Sequence, residues 1–354
     1  MTKAELDNRK ILPLEDSWYR RVKEKLDGIA KPLDGLGKFE HLIAQIGAIE
    51  KTTKISIQKK AVLVMCADNG VVEEQVSQSG KEVTLAVVKA MGVNNSSVGK
   101  MAAVAGVDVI PVDIGIDTDE VIPGVLPRKV AKGTKNFAKE PAMTEEEVLK
   151  AIETGIQLVQ QCHREGYEIL ATGEMGIGNT TTSTAVAAAL LDLEVEQVTG
   201  KGAGLTDEAL KRKCRVIKEA IEKYSLHDAD AFTILKTVGG LDIAGLTGVF
   251  IGAAIEQIPV IIDGVISAVA ALLAETLCKD AVNYMIPSHK SRELAETAIM
   301  KKLHLDPVLD ADMALGEGTG AVMMMSLLDV ALGVYLQGAS FANFEIEQYK
   351  RYEE

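Results

Sequence analysis

Aromatic residues are scarce: Phe, Trp and Tyr make up 4% of the 354 residues. A core must therefore come from Ala, Val, Ile and Leu, a composition that suits a buried parallel sheet covered by helices. Cysteine is scarce too. Cys66, Cys162, Cys214 and Cys278 stand far apart with no C-x-x-C pair, which argues against a disulfide frame or a zinc site and for free thiols in a reducing cytoplasm. The histidines, His41, His163, His227, His289 and His304, show no ligand spacing, so no metal centre is expected. No Lys/Arg run interleaved with aromatics occurs, and a net charge of −13 argues against a nucleic-acid surface. No uninterrupted apolar stretch approaches the ~20 residues of a membrane span. Residues 259–274 come nearest and are broken by Asp263, Gly264 and Ser267. Residues 1–16 are charged, with no apolar signal core. The P-loop pattern G-x-x-x-x-G-K-[ST] is absent as well.

What is present is apolar bulk punctuated by glycine. The chain is 47% hydrophobic and exceeds the ~250–300 residues at which one core stops growing, so a large domain with a smaller one is expected. Its organising stretch is 167–185. Residues 169–171 suit a short buried strand, followed by a loop with Gly173, Gly176 and Gly178. Asn179 and Thr180 can cap the alanine-rich helix that follows. A strand, a glycine loop and a helix start together offer free N–H groups to an anion. Glu174 sits in that loop, beside a phosphate or ribose. The same residues also read as a plain βα turn, and the five hydroxyls from Thr180 to Thr184 favour function only modestly.

In chain order, residues 14–27 and 38–52 carry helical spacing, joined by a loop with Gly28, Pro32, Gly35 and Gly37. Residues 61–67 are a strong strand ending in Asp68-Asn69-Gly70, either a ligand-side strand end or a simple turn. Residues 83–91 and 98–105 read as helices, and 107–114 as a second strand with polar residues after it. Residues 121–142 read as an irregular excursion or hairpin. Thr144 with Glu147 has capping-box spacing and opens a helix through His163. A second glycine cluster spans residues 198–204, and Thr206-Asp207 starts a helix bearing Lys211, Arg212, Lys213 and Arg215. Those four are a solvated basic face, or one reaches back toward Glu174. Residues 237–252 read as a glycine-rich helix packed close to something, a second subunit among the options. Strands are expected at 258–263 and 281–287, with His289 as the histidine nearest any chemistry or a satisfied loop residue. Glu317, flanked by Gly316 and Gly318 before the apolar helix 321–336, is a helix cap or a general base on a tight turn.

Together and in this order these segments resemble the nicotinate-nucleotide–dimethylbenzimidazole phosphoribosyltransferase family of cobamide biosynthesis. The matching residues are Lys31-Pro32 with Leu36-Gly37, 64–71, 112–117, 173–181, 238–242, Asp263-Gly264, Pro287-Ser288-His289 and 315–320. They span nearly the whole chain. Glu-Met-Gly-Ile-Gly-Asn-Thr-Thr and Gly-Glu-Gly-Thr-Gly are specific as a pair. The resemblance implies an α/β fold: a doubly wound, mostly parallel, Rossmann-like sheet in residues 59–300 carrying the site, and a small helical domain from 1–58 plus 301–354. It implies a homodimer, with pairing to a homologous chain as the other option, and small-molecule substrates without cofactor or metal. In that family a lower-ligand base displaces nicotinate from nicotinate mononucleotide.

By the same resemblance, Glu317 matches the general base, with Glu174 in support. Nucleotide and phosphate fall to Gly176, Gly178, Asn179, Thr180, Gly202, Lys213, Asp263, Gly264 and Ser291. The base pocket falls to Ser79, Gly80, Met175 and Leu315. Two departures touch the choice of base: Asn69 stands where many relatives carry His, and no proline follows Ser79. Some relatives accept phenols, and some work as two homologous chains, so a low-activity partner subunit is the alternative reading.

Overall fold

The computed structural model of the chain describes residues 1–202 and 204–351. Ala203, inside the second glycine cluster, and residues 352–354 lie outside it. Six strands form one sheet: β1 (Lys60–Ala67), β2 (Val107–Gly115), β3 (Leu126–Pro127), β4 (Ile169–Met175), β5 (Val260–Ile262) and β6 (Met285–Pro287). Their order is β3-β2-β1-β4-β5-β6, and every pairing is parallel. The expected doubly wound sheet is thus present.

β1 is buried along its whole length, which is why residues 61–67, after the opening Lys60, are a continuous apolar run without polar alternation. Successive side chains nevertheless go to opposite faces. Ala61, Leu63, Met65 and Ala67 join one core with the helices Glu145–Arg164, Asn179–Leu191, Leu241–Glu256 and Val265–Leu277. Val62, Val64 and Cys66 join the other, with Lys38–Ile49, Glu82–Gly92, Ser97–Ala105 and Thr319–Gln337. Strand order reverses between β1 and β4. The helices leave these strands toward opposite faces there, and the C-terminal strand ends open into a crevice.

Several expected elements shift. The central strand runs on through Thr172, Gly173, Glu174 and Met175, so Gly173 and Glu174 belong to β4 and not to the loop after it. Pairing with β1 as far as Cys66↔Met175 supplies the hydrogen bonds that extend it. The glycine-rich segment 237–252 is split at Gly239-Gly240 into the helices Ala231–Val238 and Leu241–Glu256. Its close partner is within the chain: a Cβ on Gly155 would lie 2.1 Å from the Gly245 carbonyl oxygen, and one on Gly248 would lie 2.0 Å from that of Ile152. Residues 281–284 are a 3-10 turn that precedes the short β6.

Among the described residues, Thr319–Gln337, not 259–274, is the helix long and apolar enough to cross a membrane by length and composition. It is a core helix here, with 56% of its most apolar window buried, against the Ser97–Ala105 helix and strands β1, β4 and β5.

The two chain ends meet beside that helix. Glu40, fully buried, accepts from Lys23 at 2.9 Å, Lys31 at 2.5 Å and the Leu36 N–H at 3.2 Å. Arg351 pairs with Asp27 and Asp34. Three carboxylates and three cations thus neutralise one another; removing both Lys23 and Lys31 would leave the buried Glu40 charge unpaired, whereas Arg351 and Asp34 stand half exposed.

The glycine contact between helices Glu145–Arg164 and Leu241–Glu256 allows a direct test. Gly155→Ala should cost about 1–3 kcal/mol through overpacking, read as a lower urea midpoint. Gly333→Ala, where nothing lies within 4 Å of the new methyl, should be neutral or stabilising by up to about 1 kcal/mol. Equal effects at both positions would remove close packing as the reason for Gly155.

Candidate active site

A cavity of about 290 Å³ lies beyond the C-terminal ends of β4, β5 and β6. Its wall is built where the chain turns from strand to helix: Glu174 and Met175 at the end of β4 with Gly176, Ile177, Asn179 and Thr180 after it, Asp263 to Ser267 after β5, His289, Ser291 and Glu293 after β6, and Ala314 to Glu317 ahead of the last long helix.

The last of these turns is pressed onto β4. A Cβ on Gly173 would sit 2.6 Å from the Glu317 carbonyl oxygen, so only glycine permits the contact. Gly316, Glu317 and Gly318 all have positive φ, at +81°, +61° and +92°. For the two glycines this is free; for Glu317 it costs on the order of 1–3 kcal/mol. Most other non-glycine residues with positive φ end helices, whereas Glu317 precedes one. Asp263 holds the turn in place, accepting from Gly318 N–H at 3.2 Å and Ala321 N–H at 3.0 Å. The cap of the Thr319–Gln337 helix is therefore Asp263, and the cap reading of Glu317 fails. Glu317 lines the cavity instead, and its Oε2 accepts the Val98 N–H at 3.0 Å in the first turn of Ser97–Ala105.

Glu174 enters from β4 into a crowd of carboxylates. Burial first, then Asp242, Asp263 and Glu317, push its carboxyl up to about 8, against one hydrogen bond that opposes the rise. That bond comes from Asn179 Nδ2, which also donates to Asp242 Oδ2 at 3.3 Å. Asp242 is fully buried and is itself pushed up to about 6 by desolvation. Both amide hydrogens of Asn179 are thus given to carboxylates, and its backbone N–H goes to Gly176 at 3.1 Å. Asn179 has no donor left for a phosphate, and it does not cap its helix; Gly178, at φ +92°, holds the cap position. Its work is to orient Glu174.

The opposite end of the cavity suits an anion. Thr180 and Gly202 line it, and the buried Lys213 lies behind them, donating to Thr180 Oγ1 at 2.9 Å and the Gly200 carbonyl at 3.2 Å. Lys213 is therefore neither a solvated face nor a reach to Glu174. Burial pulls its ammonium down to about 8, and the Glu293 carboxylate opposes that fall. Glu293 Oε1 accepts the Gly202 N–H at 3.1 Å. Ser291 belongs to the same loop, which the buried Glu296 carboxylate ties down through the Ser291 N–H. His289 is buried on the cavity wall, 2.9 Å from Ser288 Oγ through Nδ1, and a Cβ on Gly320 would strike its ring.

Of the expected site residues, Glu174, Met175, Gly176, Asn179, Thr180, Gly202, Asp263, Gly264, Ser291, Leu315 and Glu317 converge on this one cavity. Gly178 shapes the turn behind it, where a Cβ would meet Val72. Ser79 and Gly80 do not line it; their N–H groups go to Ser77 Oγ and Glu82 Oε1. The following helix reaches in through Val87, while Thr84 Oγ1 accepts the Ile177 N–H at 3.1 Å. Asn69 is buried beneath the Gly176 turn, donating to the Ile177 carbonyl at 3.4 Å, so this departure from relatives supports the wall without lining it. Reading the sequence missed Asp242, Glu293 and Glu296 as parts of the site. Asp242 lay in a quoted motif with no role attached; the two glutamates carry no pattern at all.

Residues 11–346 match a family model described as "Phosphoribosyltransferase". The nicotinate-nucleotide–dimethylbenzimidazole phosphoribosyltransferase of Acetivibrio thermocellus is 45% identical over 93% of this chain and 94% of its own. The protein of the same name from Clostridium acetobutylicum is 43% identical over 95% and 96%. Among solved structures, that of CobT from Thermus thermophilus superposes with a TM-score of 0.89 at 33% identity, covering 94% of this chain and all of that one.

Glu174 supplies a pH test. Its folded-state carboxyl titrates near 8 against an ordinary 4.5, so the folded chain holds a proton that the unfolded chain releases. Its contribution to stability therefore falls as pH climbs through that window. Relative to wild type, Glu174→Gln should gain thermal stability from pH 5 to about pH 8 and level off above that. A difference in Tm that stays flat across those pH values would contradict the uncompensated burial of this carboxyl.

Proposed function

This chain belongs to the nicotinate-nucleotide–dimethylbenzimidazole phosphoribosyltransferase family and is a pentosyltransferase; from that membership we propose the reaction that its site performs. The chain moves the 5-phosphoribosyl group from nicotinate mononucleotide to a lower-ligand base, a benzimidazole, purine or phenol, for cobamide assembly. A ring nitrogen of a benzimidazole attacks C1′ of the ribose. The bond from C1′ to the pyridinium nitrogen breaks, and its electron pair neutralises that nitrogen as nicotinate leaves. The attacking base loses its N–H proton to Glu317, and the product is the α-ribosyl 5′-phosphate.

The observation that carries this reading is Glu317 on the cavity wall, on a turn strained to positive φ. A carboxylate accepts the proton that the attacking base must shed. Glu174 and Asp263 share the same wall; Glu174 holds its proton at neutral pH, so the Glu317 carboxylate faces the positive charge that grows on the ribose as nicotinate departs. The 5′-phosphate fits the part of the cavity beside Gly202, where the Gly202 N–H, the Thr180 and Ser291 hydroxyls and Lys213 supply donors. Met175 and Leu315 give apolar wall for a planar base. Asn179 acts through Glu174 and not on the phosphate. Because the pyridinium is already a good leaving group, the mechanism asks for no metal.

Mixing the protein with nicotinate mononucleotide and a panel of benzimidazoles, purines and phenols should release nicotinate with at least one acceptor; silence across the panel would overturn the proposal. Glu317→Gln should lower kcat by about 10²–10⁴-fold while calorimetry still detects nucleotide binding. Undiminished turnover would take the base role away from Glu317.

A further inference from the structure

The anion end of the cavity already contains an anion. Glu293 Oε1 takes the Gly202 N–H at 3.1 Å. Its carboxylate is pressed so closely on the glycine loop that a Cβ on Gly200 would lie 1.9 Å from Oε2. Lys213, fully buried behind that loop, makes its bonds to uncharged oxygens, those of Thr180 and Gly200. A buried ammonium needs a counter-charge, and Glu293 is the carboxylate on the same loop wall. Backbone N–H, threonine hydroxyl and lysine are the donor set a phosphomonoester would use.

We propose that the Glu293 carboxylate is an internal stand-in for phosphate: it occupies the seat in the empty enzyme and is displaced when the substrate's 5′-phosphate arrives. This rests on the nucleotide reading above. A carboxylate and a phosphate dianion cannot share one N–H and one loop without strong repulsion, so entry of one requires exit of the other. The exit is local. The Ser291–Glu296 contact anchors the loop independently of Glu293, and the Glu293 N–H donates to Ser291 Oγ at 3.2 Å, leaving that hydroxyl's own hydrogen for the incoming ligand. Two consequences follow. The empty site stays charge-balanced around Lys213, and affinity for the nucleotide is held below what the donors alone would give, which favours release of a phosphorylated product. A phosphate-free nucleoside gains nothing from displacing the carboxylate, so Glu293 also bears on selectivity for the phosphorylated substrate.

Inorganic phosphate, nicotinate mononucleotide and nicotinate riboside are each titrated by calorimetry into wild type, Glu293→Gln and Glu293→Asp, with Tm measured for all three proteins. Phosphate and the mononucleotide should bind Glu293→Gln about tenfold more tightly than wild type, with riboside affinity unchanged. Glu293→Asp, which keeps the charge on a shorter arm, should fall between the two. Phosphate affinity that is unchanged or weaker in Glu293→Gln overturns the proposal, and weaker binding would make the carboxylate a substrate contact. Absence of nicotinate release by wild type would count against the transferase reading alone, because the inorganic phosphate titration still reports on Glu293.

Discussion

Backbone pressed on backbone at Gly173 and Glu317 is the constraint from which the site follows. The two segments touch without an intervening side chain, so the 316–318 turn is fixed against the central sheet to within the thickness of a missing methyl. Asp263, at the end of the neighbouring strand, locks the turn through two N–H groups of the last helix. A strained glutamate is thereby held against a parallel strand paired with β1 as far as Met175, with glycine on each of its flanks.

Around that contact the molecule gathers carboxylates that do not neutralise one another. Glu174, Asp242 and Asp263 are all buried, and all have their proton affinity raised chiefly by desolvation. Asn179 mediates between two of them with a single amide. Such an arrangement lowers the stability of the empty protein, and it accords with a ligand that brings positive charge. Across the cavity the balance reverses: one buried ammonium, a loop of glycines, and a glutamate that supplies the missing negative charge until a ligand does. Carboxyl groups thus gather around Glu174 and Asp263, while the buried ammonium lies behind Thr180 and Gly202.

The remainder of the fold keeps these parts in register. Glycines on facing helices let Glu145–Arg164 and Leu241–Glu256 pack at backbone distance, which fixes the helix that carries Asp242. The ion cluster around Glu40 ties both chain ends together beside Thr319–Gln337, the helix whose first turn follows Glu317.

Much of this was legible from residues alone. Apolar runs such as 61–67 gave the strands, because a strand buried on both faces needs no alternation. Capping boxes and helical periodicity gave Thr144 and the helix after it. At Glu174 and Glu317 the residues alone left a plain turn and a helix cap open, and the resemblance of the segments around them to the transferase family marked the site. Tertiary structure alone decided the rest. Glu174 lies in a strand because β1 offers hydrogen bonds along its edge, and Asn179 faces two carboxylates that are 5 and 63 residues away in sequence. Ser79 and Gly80 turn away from the cavity, while Glu293 turns into the seat expected for phosphate. Local patterning encodes which segments are strand, turn or helix. Which polar group meets which depends on contacts between distant segments, and those exist only once the sheet has assembled.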